Sequence, residues 1–313
     1  MATFKQLLHK LKDNITYTPS ADEVAEAVEA FTTSDKGQGW IDNAIAHDAA
    51  LKSKITNGDD TEARAEALTY QGLHAVSLHE KAHALYERGD FLEARRLSQG
   101  ARRVTAGIEI HPGATIGKNC FIDHGASLVI GETTVIGDNV FLYHGVTLGA
   151  TDGTKDTGAR RHPKIGDNVE VGNGAQVLGK VDVRAGAKIA AGAKIIGNHI
   201  VIEEGARIGP DVKIVEPKGK YTDENPLIIG RNATIEAGVE VRKSILTDAH
   251  VWGAVPNIPG VIPGNQVLSP IYTLKPSNGI EQPLNKVDLQ GLEWYSTLVA
   301  GLKQMIGMQP SAT

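Results

Sequence analysis

The sequence predicts an α+β chain in which an N-terminal α-helical domain precedes a left-handed parallel β-helix of hexapeptide repeats. Three observations carry that prediction. The first is a period of six. A branched aliphatic residue recurs at Ile110, Ile116, Ile122 and Leu128, then after a two-residue slip at Ile130, Ile136, Leu142 and Leu148. It returns from Ile165 to Ile195, slips by one to Ile196, Ile202, Ile208 and Ile214, and resumes at Ile229, Ile235 and Val241. Six is neither the 3.6 of a helix nor the 2 of an alternating strand. It is the repeat of a β-helix whose inward aliphatics stack, three hexapeptides closing one triangular coil. Such coils wind left-handed, against the usual right-handed crossover. The second observation is glycine. Of 35 glycines, 24 lie between Gly107 and Gly260 and six in the first hundred residues, so the composition changes near residue 105. Glycine often follows the aliphatic, where a corner needs backbone freedom. The third is the first hundred residues, which carry helix signals and few breakers.

Taken in order, the N-terminal stretch MATFKQLLHKLKDNI is amphipathic and suits an exposed first helix. It has no apolar run long enough for a signal core or a membrane span, so a cytoplasmic location is expected. Ser20 to Glu23 form a capping-box pattern after Pro19. DDTEARAEALTYQGLHAVSLHEKAHALYE is rich in alanine and strong helix formers. Gly89-Asp90 reads as a turn, and DFLE opens another helix. His74, His79 and His83 on these helices read as surface or helix-contact residues. The expected division is 1–107 helical, 108–262 β-helix and 263–313 a tail. Two polar, Gly/Pro/Asp-rich interruptions, 149–164 and 216–227, should protrude as loops. The segment NKVDLQGLEWYSTLVAGLKQM in the tail suits one terminal helix, as an oligomer contact or a cap.

Composition narrows the function classes. A net charge of −5 and a pI near 6.1 give no basic footprint for nucleic acid. One cysteine, Cys120, excludes an intramolecular disulfide and fits a reducing compartment. Aromatic residues are 5% of the chain, so the core should be aliphatic. Four histidines stand out in the repeats: His111, His124, His144 and His162. No two of them are close enough in sequence to suggest a zinc pair, and one cysteine supplies no thiolate pair, so no metal is expected. His124 and His144, twenty residues apart, should share one corner on adjacent coils once the slip is counted. Asp123 precedes His124, and Glu109 lies fifteen residues back, about one coil away. Carboxylates beside an imidazole suit a general base. A structural corner histidine fits the same spacing. Asn173 stacks on Ala191 and Gly174 on Gly192, giving a track of small side chains. That track could hydrogen-bond a thin ligand with amides, such as a pantetheine arm, or could meet the needs of tight corners alone.

IEIHPGATIGKNCFIDHGASLVIGET resembles the signature of the serine acetyltransferase family, in which D-I-H-P is followed by L-D-H and G-E-T. HGVTLGAT resembles its G-V-T-L-G-G-T, RRHPKIG its D-R-H-P-K-I, and YQGLHAVSLHEKAHALYERG its last N-terminal helices. The resemblance spans roughly residues 60 to 215. It implies O-acetylation of L-serine by acetyl-CoA, in cysteine biosynthesis. It implies His124 as the general base with Glu109 as its carboxylate partner, and Asp123 on the serine amino group. It puts Arg161 and His162 on the serine carboxylate, and an aspartate of the helical domain, Asp59 or Asp60, on serine. Ala150, Asn173 and Ala191 fall where the family's backbone meets coenzyme A. It also implies a trimer with sites between neighbouring prisms. Transfer to homoserine or another amino alcohol, and a non-catalytic β-helix binding module, are the alternatives. Within the quoted motifs three residues depart from the family pattern, and beyond them the loop before R-H-P is about three residues longer and the repeats run past the family's usual end. Glu109 stands for the D-I-H-P aspartate, Ala150 for a glycine, and Arg160 for the aspartate before R-H-P. The ending MQPSAT lacks the C-terminal isoleucine by which many members dock into O-acetylserine sulfhydrylase, so that partner is not expected.

Overall fold

A computed structural model describes residues 17–152, 160–245 and 247–251. The predicted first helix, the C-terminal tail and its helix, and the middle of loop 149–164 lie outside the described residues. Among the described residues six helices come first: α1 (Ala21–Thr32), α2 (Asp35–His47), α3 (Ala49–Thr56), α4 (Asp60–Ala67), α5 (Gln71–Glu87) and α6 (Phe91–Val104). The capping box forms as the sequence predicts. The Ser20 side chain accepts from the Glu23 N–H at 3.1 Å, and the Glu23 carboxylate accepts from the Ser20 N–H at 2.9 Å.

From Glu109 the chain winds as a left-handed parallel β-helix of three parallel sheets. The first sheet begins with Glu109–Ile110, Val129–Ile130 and Thr147–Gly149. The second begins with Thr115–Ile116, Val135–Ile136 and Lys164–Ile165, and the third with Phe121–Ile122, Phe141–Leu142 and Glu170–Val171. Successive coils pair strand on strand, and the register follows the predicted slips. Glu109 pairs with Val129 and Val129 with Thr147, so the first coil spans twenty residues and the second eighteen. Gln176 pairs with Lys194 and Lys194 with Lys213, which contains the one-residue slip. The inward aliphatics, among them Ile110, Ile130, Leu148, Val177 and Ile195, are 0–5% exposed. Each such side chain contributes roughly 1.5–3 kcal/mol by leaving water.

The rings, scarce overall, gather where helices meet the coils. Phe121 and Phe141 point outward from the third sheet with centroids 4.8 Å apart, and Trp40 of α2 packs on Phe121 at 5.0 Å. Tyr70, the residue before α5, completes the cluster at 6.3 Å from Trp40. The helix α5 lies so close to the first coil that a Cβ on Gly72 would fall 2.2 Å from the Ile122 carbonyl oxygen. One hydrophobic core therefore runs from Phe31 and Trp40 through the coils to Val251. Among the described residues no helix is long and apolar enough to cross a membrane.

Candidate active site

Each coil turns from the third sheet into the first through a corner. In three later coils that corner has four residues: 143–146, 172–175 and 190–193. Between Phe121–Ile122 and Val129–Ile130 it has six, 123–128. The two-residue slip in the period is this corner. His124 takes φ 57° and Gly125 φ 67°, and the Gly125 N–H folds back on the Asp123 carbonyl at 2.6 Å. A side chain other than glycine at positive φ is uncommon in general, and here it recurs at coil corners, as at Asn139 and Asn168. The widened corner throws the imidazole outward, leaving it 73% exposed. Its Nε2 lies 3.7 Å from Asp123 Oδ1, and the His144 ring lies edge-on at 5.9 Å on the next coil.

The helices bring a second carboxylate to this edge. Asp48 caps α3, its Oδ1 accepting from the N–H of Ala50 and Leu51, while its Oδ2 accepts from the Tyr70 hydroxyl at 2.6 Å. The Tyr70 hydroxyl, with these N–H groups and the nearby His124, holds the Asp48 carboxyl below its ordinary range. Burial, then Asp48, pushes the Tyr70 phenol up, and the Asp123 charge adds to this. Asp48, Tyr70, Asp123 and His124 thus feel one another across the junction of helix and coil. Sequence reasoning missed Asp48. The signal present was an aspartate ahead of AALKS, the N-cap of a helix that the third-sheet rings anchor.

Glu109 sits one coil below the His124 corner, on the outer face of the first sheet. Among the described residues its carboxylate is bonded to Arg102 at 3.0 Å and Gln99 at 3.4 Å, both on α6. Asp60 pairs with Arg64 of its own helix at 3.3 Å, and exposed Asp59 precedes α4 without capping it.

Arg161 and His162 stand at the opposite edge of the first sheet, where coils turn into the second. The Arg161 guanidinium donates to Glu132 Oε2 at 2.6 Å, and Tyr86 of α5 donates to Glu132 Oε1 at 3.1 Å. Arg161, then the Tyr86 bond, lowers the Glu132 carboxyl below its ordinary range. Thr133 Oγ1 accepts from the backbone N–H of both Arg161 and His162. His162 is 6% exposed, and its Nδ1 accepts from the Thr133 N–H at 3.1 Å. That contact leaves the ring proton on Nε2. Burial, then the neighbouring Arg161, lowers His162 to about 4, so it is neutral near pH 7. The ring rests on Gly131, where a Cβ would fall 2.1 Å from it. His111 shares this edge, lowered to about 4 by burial and Arg95.

Asn173 and Ala191 continue the His124 edge upward. Gly174 donates its N–H to the His144 carbonyl and Gly192 to the Asn173 carbonyl, so the corners stack one on another. A cleft of about 500 Å³ runs beside this track, lined by Tyr143, Gly172, Asn173, Ala190, Ala191 and Arg207 among others. Ala150 lies elsewhere, following Thr147–Gly149 on the Arg161 edge. Among the described residues no group of three or more His, Cys, Asp or Glu side chains could hold a metal ion.

One chain thus presents two separate groups of candidate site residues. A base-like edge carries His124, Asp123 and Asp48, and a cationic edge carries Arg161 with the neutral donor His162. They are separated by the width of the first sheet, six residues or roughly 15–20 Å. No family model matches the chain. It is 50% identical over 153 residues to the serine acetyltransferase of Bacillus licheniformis, covering 49% of this chain and 68% of that protein. The Bacillus subtilis serine acetyltransferase is 48% identical over the same length and coverage. A solved soybean serine acetyltransferase complexed with serine is 27% identical, with a TM-score of 0.43, over 72% of this chain and 70% of that one.

Proposed function

We infer the reaction from one premise: the chain belongs to the serine acetyltransferase family. It is an acyltransferase that moves the acetyl group of acetyl-CoA to the hydroxyl of L-serine, giving O-acetyl-L-serine and CoA in cysteine biosynthesis. The observation that best supports this chemistry is the widened corner, which sets an exposed imidazole at the foot of a long, featureless ligand track.

We propose the following roles, which the geometry of the two edges supports. His124 takes the serine hydroxyl proton as the oxygen attacks the thioester carbonyl. The tetrahedral adduct collapses, the carbon–sulfur bond breaks, and the imidazolium returns its proton to the departing thiolate. Asp123 and Asp48 face the same space with negative charge, which suits the serine ammonium group. We propose Asp48 for the role that the sequence alone assigns to Asp59 or Asp60. Arg161, aimed by Glu132, and the Nε2–H of neutral His162 supply donors for the serine carboxylate. Glu109 serves as the partner of His124 by exchanging Arg102 for the imidazole. Asn173 and Ala191 offer backbone groups to the cofactor arm, and Ala150 offers its own from the Arg161 edge.

Serine's carboxylate and hydroxyl are a few ångströms apart, far less than the width of the first sheet. A single prism therefore cannot use both edges on one serine. A closed ring of three prisms, each turning its first sheet to the axis, sets the His124 edge of one copy beside the Arg161 edge of the next. The trimer is the assembly that completes the site. In this division the described part of 1–107 carries Asp48 to the base, and the described part of 108–262 forms the prism. The tail 263–313 lies outside the described residues.

The direct test is thiol release from acetyl-CoA with L-serine, L-homoserine, serinamide or no acceptor. Serine-dependent release is expected, with serinamide poor because it lacks the carboxylate. Equal release with and without serine would defeat the assignment, and a preference for homoserine would move it to that acceptor.

A further inference from the structure

We propose that Tyr143 binds the pantetheine arm of acetyl-CoA, its hydroxyl donating a hydrogen bond to an amide carbonyl next to the thioester. The proposal rests on the acetyltransferase reading above. Its basis is the stacking at the mouth of the His124 edge. Asp123 donates its N–H to the Leu142 carbonyl, Tyr143 to that of Val171, Gly172 to that of Ile189, and Ala190 to that of Ile208. These contacts set Asp123, Tyr143, Gly172 and Ala190 in one column. Below Tyr143 is the carboxylate assigned to the acceptor. Above it stand a hydrogen and a methyl group, beside the small-residue track of Asn173 and Ala191. Tyr143 thus occupies the junction between acceptor and cofactor, where the thioester end of the arm must lie.

The side chain suits that place. Its ring packs on Phe141 with centroids 4.9 Å apart and is half-buried, which fixes the direction of the hydroxyl. Among the described residues the hydroxyl has no hydrogen-bond partner, and Tyr143 is one of the residues lining the 500 Å³ cleft. A phenol held by packing, with an unused donor at the mouth of a cleft, is preorganised for an amide acceptor. Burial, then the charges of Glu170 and Asp123, pushes the phenol up from its ordinary value, so it stays a neutral donor.

Tyr143→Phe removes the hydroxyl and keeps the ring on Phe141. Calorimetric titration of CoA, with no acceptor present, is expected to show roughly 3- to 10-fold weaker binding in the variant. The KM for serine should not move. The acetyl thioester of ethanethiol, which has no amide, should be used equally well by both proteins. Equal CoA affinity in the two proteins would overturn the proposal, as would a penalty of the same size with the amide-free ester. Because the titration needs no acceptor, it still decides the role of Tyr143 if serine proves to be the wrong substrate.

Discussion

His124 and His162 stand at opposite edges of the same sheet and are held in opposite ways. His124 projects from a corner enlarged by two residues, in a left-handed backbone conformation, with its ring open to solvent. His162 lies buried against Gly131, its Nδ1 committed to Thr133. The contrast suits the tasks proposed for them. A base must reach a reacting hydroxyl and accommodate a proton when it arrives. A donor to a carboxylate must keep one proton on one nitrogen and stay in place. The fold meets both needs where its period breaks, the first at a corner two residues longer and the second where loop 149–164 rejoins the coil.

The sharpest way to break this comparison is to make the His124 corner regular. Deleting Ala126 and Ser127 leaves Asp-His-Gly-Leu, the same length as the Tyr-His-Gly-Val corner above it. Activity should fall to background while circular dichroism keeps the β-helix signal. Retained activity would mean that the extra residues do not present the base. His124→Ala should lower kcat by roughly 10²–10⁴-fold, the usual worth of positioned proton transfer, with little change in melting temperature. At the other edge, Arg161→Ala should reduce kcat/KM for serine by about 100-fold and leave that for serinamide nearly unchanged. Gly131→Ala drives a methyl group into the His162 ring, and a loss of about 10-fold in kcat/KM for serine is expected, together with a lower melting temperature.

The smallest effect is on stability. His162 titrates near 4 in the folded chain and near 6.5 when unfolded. Between those values the unfolded chain binds a proton that the folded chain refuses. The stabilisation is therefore complete above about pH 6.5 and is lost as pH falls towards about 4. Denaturant melts from pH 7.5 to 4.5 should show this decline, with a shallower slope in His162→Gln. His111 and buried His79, lowered to about 4 and about 3, titrate in the same direction and should remain in that variant.

How much of this was legible in the sequence depends on the range of the interaction. The period of six and both slips could be read directly, because each coil repeats the same inward aliphatic and strand pairing preserves the count. The meaning of the first slip could not, since an enlarged corner and an inserted pair of residues look alike in sequence. Asp48 escaped notice because it is brought to the coil by the rings of Trp40, His47 and Tyr70 packing on Phe121 and Phe141, contacts between residues far apart in the chain. The same holds for Glu132, whose bond to Arg161 spans 29 residues and depends on the coil stacking. Asp59 and Asp60, nearer the recognisable motifs, face their own helix and solvent instead.

The central claim is that each active site joins the His124 edge of one copy to the Arg161 edge of the next. Co-expression of His124→Ala with Arg161→Ala tests it directly, since each variant alone should be inactive. In randomly mixed trimers about one site in four pairs an intact His124 with an intact Arg161 from different chains. The mixture should therefore recover about a quarter of wild-type activity. If each chain builds its site from its own two edges, every site carries a defect, and the mixture would remain as inactive as its components.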